Sequence, residues 1–111
     1  VSGASSSEQA TVTLRALEGD PLRHAMVRDM TVATANAIAE RSGVKIINLR
    51  TDDRSVTITI AGTRLGAMGL AAELRRLTTA WYAHKFGVDA LWGEARMDGD
   101  DDAGEEWKKS M

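Results

Sequence analysis

The stretch SVTITIAGTRLGAMGLAAELRR, residues 55–76, comes closest to a phosphate chemistry. An alternating apolar run enters glycines at 62, 66 and 69, and a helical pattern follows. A P-loop would need Lys-Ser/Thr after its last glycine, so that an ammonium reaches the phosphates and a hydroxyl holds magnesium. Leu70-Ala71 stands there instead. A dinucleotide loop needs glycines spaced G-x-G-x-x-G so that backbone can approach a pyrophosphate. Here the spacings are four and three. The glycines therefore read as a strand end followed by close helix–sheet packing. What remains for chemistry is the helix start, where Thr63, Arg64 and Gly66 form a candidate anion site: amide N–H groups at a helix N-terminus attract negative charge, and a guanidinium adds to it.

The other reactive side chains do not converge in sequence. His24 and His84 lie on different helical segments, and neither has a second nitrogen ligand nearby. A zinc site takes three or four ligands, so no metal is expected. There is no G-x-S-x-G elbow for a nucleophilic serine. Asp52-Asp53 reads as a turn, and Asp100-Asp101-Asp102 lacks the spacing of a calcium loop. The sequence therefore names no catalytic residue and calls for no cofactor. The absence of cysteine excludes disulfides, thiolate metal sites and thiol chemistry and suits a cytoplasmic protein.

Charge is more informative. The chain of 111 residues carries a formal net charge of −2, unevenly spread. Between Thr11 and Lys85 eleven Lys/Arg face seven Asp/Glu, and from Phe86 to Met111 three face eight. A mildly basic body with an acidic tail is a pattern of solvated surface charge in the first place, and also one of nucleic-acid contact or a self-competing tail. The candidate phosphate contacts are Arg15, Lys45, Arg50, Arg54, Arg75 and Arg76. Against this, the strands before Trp92 offer no aromatic platform for bases.

The elements that must position these residues follow from periodicity. Residues 1–10 read as a disordered Ser/Gly-rich arm, without the apolar region of a signal peptide. TVTLRAL, residues 11–17, alternates as a half-buried strand. Asp20 then Pro21 predicts an N-cap and first helical position, with a helix to about Arg41 whose inner stripe is Leu22, Met26, Met30, Ala33, Ala37 and Ile38. VKIINLR and SVTITIA, joined by a four-residue Asp-containing turn, predict an antiparallel hairpin. Val44 and Ile46 are apolar on one face of the first of these strands, Ile47 and Leu49 on the other. A strand apolar on both faces is covered twice or sits at a subunit contact, so Ile47 and Leu49 are the interface candidates. A second helix spans about Leu65–Phe86, with Leu70, Leu74, Leu77 and Trp81 inward. VDALW, residues 88–92, predicts a short last strand, and Trp81, Tyr82, Phe86 and Trp92 a local mini-core or a partner patch.

The order is β-α-β-β-α(-β), the element order of a ferredoxin-like open sandwich: α+β, one antiparallel sheet with both helices on one face. One domain spans residues 11–93, and residues 94–111 form an acidic, mobile tail. No apolar run approaches the ~20 residues of a membrane span. Two functions stay open. One is a non-enzymatic interaction module that self-associates as a homodimer. The other is a nucleic-acid-binding module, with anion or nucleotide binding at the helix start a further alternative. Element order alone chooses none of them.

Overall fold

Period-two alternation in QATVTLR and SVTITIA sends Ala10, Val12 and Leu14 of one strand, and Val56, Ile58 and Ile60 of the other, into one buried layer. The computed structural model describes residues 8–88 and 91–97. Its elements are β1 (Gln9–Arg15), a 3-10 turn (Pro21–Arg23), α1 (Ala25–Ser42), β2 (Lys45–Thr51), β3 (Ser55–Ala61), α2 (Arg64–Phe86) and β4 (Arg96–Met97). The strands form one sheet in the order β2-β3-β1-β4, every pairing antiparallel. Val27, Ala35 and Ile38 of α1 join Ala67, Leu70, Ala71 and Leu74 of α2 in the same core as the β1 and β3 residues. The fold is therefore α+β, with both helices on one side of the sheet. Among the described residues, no helix is long and apolar enough to cross a membrane.

The first helix departs from expectation at its start. Leu22 N donates to Asp53 O at 2.9 Å, which ties the 3-10 turn to the β2–β3 hairpin. The chain then re-extends at His24 (ψ 119°) before α1 begins. His24, not Asp20, is the N-cap: its Nδ1 accepts from Met26 N at 3.3 Å. The break takes Leu22 out of the helical phase. The buried stripe is Val27, Thr31, Ala35, Ile38 and Ala39, whereas Met26, Ala33 and Ala37 are exposed. A threonine can face the core because Thr31 Oγ1 donates to Val27 O at 2.8 Å. Gly43 closes α1 in the left-handed region (φ 74°), as expected of glycine there.

The two-faced strand resolves into a β-bulge. Ile46 pairs with Ile60 and Asn48 with Thr59, so Ile47 is the extra residue. One inserted residue restarts the alternation. Leu49, opposite Ile58, thereby returns to the side of Ile46, and both pack on the core. Ile47 alone stays exposed, at 45%. The premise that Ile47 and Leu49 share an outer face is thus corrected.

The last strand is also displaced. Residues 89–90 of the expected 88–92 strand lie outside the described residues. Leu17 N donates to Leu91 O at 3.0 Å, and Trp92 bridges Ala16, so pairing with β1 does begin there. The regular strand comes later, with Thr13 opposite Arg96 and Val12 opposite Met97. The shift from the Ala16–Trp92 pair leaves one extra residue on the later segment. Trp92 is 1% exposed, and its Nε1–H donates to Thr78 Oγ1 at 2.7 Å. Thr78 Oγ1 in turn donates to Leu74 O at 2.6 Å. Of the expected arm and tail, Gln9 and Ala10 belong to β1 and Arg96 and Met97 to β4.

Candidate functional site

With both helices on one side, the opposite face of the sheet is uncovered by any described element. Its residues follow from register. Arg50 lies opposite Thr57, Thr57 opposite Thr13, and Thr13 opposite Arg96, so one row crosses all four strands. Three strand spacings of about 4.8 Å put the ends of that row roughly 14 Å apart. A second row runs Asn48, Thr59, Thr11, and a third Lys45, Ala61, Gln9. Arg15, opposite Ser55, closes the near end. The strand positions of this face therefore carry four cations, a threonine floor and no carboxylate. Arg15, Lys45, Arg50 and Arg96 are all exposed.

The floor has its own polarity. Thr11 Oγ1 and Thr59 Oγ1 are 2.7 Å apart, and Thr13 Oγ1 and Thr57 Oγ1 3.0 Å. In each pair one hydroxyl proton is spent within the pair and the other is left to donate outward. β-branched threonine suits the pleat and holds the floor stiff. No aromatic side chain stands on these strands, so the face offers contacts for phosphates and hydroxyls but no aromatic platform for bases.

Two carboxylates border the face: Glu94, which lines a cleft with Arg15 and Arg96, and Asp52 at the hairpin end. Asp52 Oδ1 accepts from Arg54 N at 2.9 Å and from Ser55 N at 2.8 Å. The amide of Arg54 chiefly, with Ser55 and the charge of Arg15 also contributing, holds the Asp52 carboxyl below its ordinary range. Its lone pairs are thus engaged in shaping the turn.

The other expected contacts lie elsewhere. Arg54 Nε donates to Asp20 Oδ1 at 3.2 Å. Arg75 and Arg76 sit on α2, away from the sheet face. Arg76 makes a two-pronged pair with Glu73 at 3.1 and 2.7 Å, and Arg41 approaches the same carboxylate at 3.7 Å. The Arg76 hydrogen bond leads in lowering the Glu73 carboxyl, and the same bond raises the guanidinium. Of the six cations expected, the structure gathers Arg15, Lys45 and Arg50. Arg96, in the segment read as tail, completes the set. Only the pairing of β4 could have placed it.

At the start of α2, Thr63 Oγ1 accepts from Gly66 N at 3.1 Å. The amide that an anion would seek is held by the helix's own cap. Gly66 faces Ile60, where an added Cβ would meet Cδ1 at 3.5 Å, an ordinary contact, and Gly69 faces open space. The glycines do not mark the tight helix–sheet approach expected of both. His24 stacks edge-on against Phe86 at 6.2 Å, with Tyr82 4.8 Å from Phe86. Among the described residues, no three His, Asp or Glu side chains gather as a metal site requires. No protein-family model matches the chain, and no curated protein matches it.

Proposed function

We propose that this chain is a non-enzymatic binding module whose uncovered sheet face holds a nucleic acid by its phosphate backbone. The observation that carries the reading is register: residues distant in sequence form a face with four cations at its margins and no carboxylate among its strand positions. Phosphate neutralisation by Lys and Arg supplies sequence-independent affinity, and spare hydroxyl donors of the threonine rows add neutral contacts. A face without an aromatic platform binds chiefly through the phosphates, so binding is sequence-tolerant and steeply salt-dependent. The strand order β2-β3-β1-β4 supports assigning the module to the ferredoxin-like open sandwich, with the sheet as its working surface.

The test is a titration of a fluorescent single-stranded oligonucleotide at low salt. The double variant Lys45→Glu/Arg50→Glu is expected to bind at least tenfold more weakly, and Arg75→Glu to bind as the parent does. Equal loss in both, or none in either, contradicts the face.

A self-associating module is the second reading, and it rests on a different surface. Leu65 is 82% exposed and Met68 39%, both on the outer side of α2. Pairing through the sheet face would instead set Arg15, Lys45 and Arg50 of two copies against each other, which like charge disfavours. Leu65→Lys lowers the mass by light scattering if α2 is the dimer contact.

A further inference from the structure

The centre and the margin of the sheet face differ in chemistry. Arg50 and Arg96 close the ends of one row, and Thr57 and Thr13 stand between them. Thr59 and Thr11 fill the next row, beside Asn48. Each threonine pair is held across β1 and β3 by a bond between its own hydroxyls, at 2.7 Å for Thr11–Thr59 and 3.0 Å for Thr13–Thr57. The pairs are two residues apart along each strand, or roughly 7 Å. All four side chains are half-buried, and no described element covers them. A hydroxyl has one proton to donate and two lone pairs to accept with. The bond within a pair engages one of each, which leaves one proton and three lone pairs facing outward or along the sheet. A phosphate oxygen only accepts, so it can use the proton and none of the lone pairs. A ribose 2′-hydroxyl donates as well as accepts, so it can use both. Deoxyribose offers neither.

We propose that the Thr11–Thr59 and Thr13–Thr57 pairs take ribose 2′-hydroxyls, and that the face thereby selects RNA over DNA. This inference rests on the reading of the face as a phosphate-binding surface. The cations at the margin hold phosphates, which both nucleic acids share, and supply affinity without selection. The threonines at the centre meet the sugar, where the two differ. RNA repeats a phosphate and a sugar hydroxyl along its chain, and the Arg50-Thr57-Thr13 row sets a cation directly beside a hydroxyl pair. The pairs are stiff, because each side chain is β-branched and bonded to its neighbour, so binding orders little that is not already ordered. Selection by a neutral contact does not depend on salt, whereas affinity through the phosphates does.

The test titrates the full chain against fluorescent oligouridylate and oligodeoxyuridylate of equal length, which differ only at the 2′ position. The ribose form is expected to bind about five- to tenfold more tightly, by the same factor at each salt concentration. A 2′-O-methyl oligouridylate, which has no proton to donate, is expected to bind as the deoxy form does. The variant T13V/T57V removes both hydroxyls of one pair and keeps β-branched side chains suited to the strand. It is expected to lower the ribose preference about two- to fourfold and to leave the salt slope unchanged. T13S/T57S keeps both hydroxyls and is expected to retain the preference. Equal affinity of the parent for the two probes overturns the selection and leaves the phosphate-binding face standing. A preference that survives intact in T11V/T13V/T57V/T59V also overturns it. If the parent binds neither probe, the proposed function and the selection fail together.

Discussion

A single hydroxyl decides how Trp92 is buried. Thr78 Oγ1 accepts from the indole N–H and donates its own O–H to Leu74 O, so no buried side-chain polar atom in that corner lacks a partner. Thr78→Val keeps the shape but strands the N–H, and an unsatisfied buried donor costs about 1–3 kcal/mol. Urea unfolding of this variant is expected to show a loss of that size with an unchanged m-value. Asp52 acts at the same scale. Its carboxyl is held below the ordinary range chiefly by the Arg54 amide. A depressed folded pKa means stability that is present above the unfolded pKa and lost as pH falls through the folded one. The stability difference between the parent and Asp52→Ala is therefore expected to be level near neutrality and to shrink below about pH 4. A difference that grows with acid would contradict the turn assignment. These residues were visible in sequence only in part. Asp52 was legible as turn chemistry, whereas the pairing of Thr78 with Trp92 spans a chain reversal that periodicity does not see.

At the scale of elements, the adjacent pair Ile46-Ile47 carried the ambiguity. Strict alternation assigns Leu49 to the outer face with Ile47. The bulge at Ile47 reverses this, and the two residues respond differently to charge. Leu49→Lys forces an ammonium toward the core layer beside Ile58 and is expected to destabilise by about 1–3 kcal/mol. Ile47→Lys, on the exposed face, is expected to stay within about 0.5 kcal/mol. Thermal unfolding of the two variants checks this, and equal effects would contradict the bulge. Strands β1 and β3 were legible because one of their faces is wholly apolar and the other is mostly polar, with threonines at its centre. The start of α1 was not, because a 3-10 turn anchored to a hairpin by the Leu22–Asp53 bond depends on a contact 31 positions along the chain. Arg96 was hidden for a similar reason: a two-residue strand has no periodicity of its own.

At the scale of the whole molecule, the division is between a covered and an uncovered sheet face. Helices, the described aromatic residues and the apolar core lie on one side, and cations with hydroxyls line the other. Charge asymmetry along the sequence hinted at this, but only register converts scattered Arg and Lys into a surface. The most direct measurement is oligonucleotide affinity across a salt series for the parent and for Arg50→Gln. Three or four phosphate contacts to a single strand predict a slope of log affinity on log salt of about −2 to −3, and loss of one contact lowers its magnitude by about 0.7. The account predicts that slope, its reduction in Arg50→Gln, and little dependence on base sequence. Binding that ignores salt, or a slope untouched by the Arg50 substitution, would contradict it.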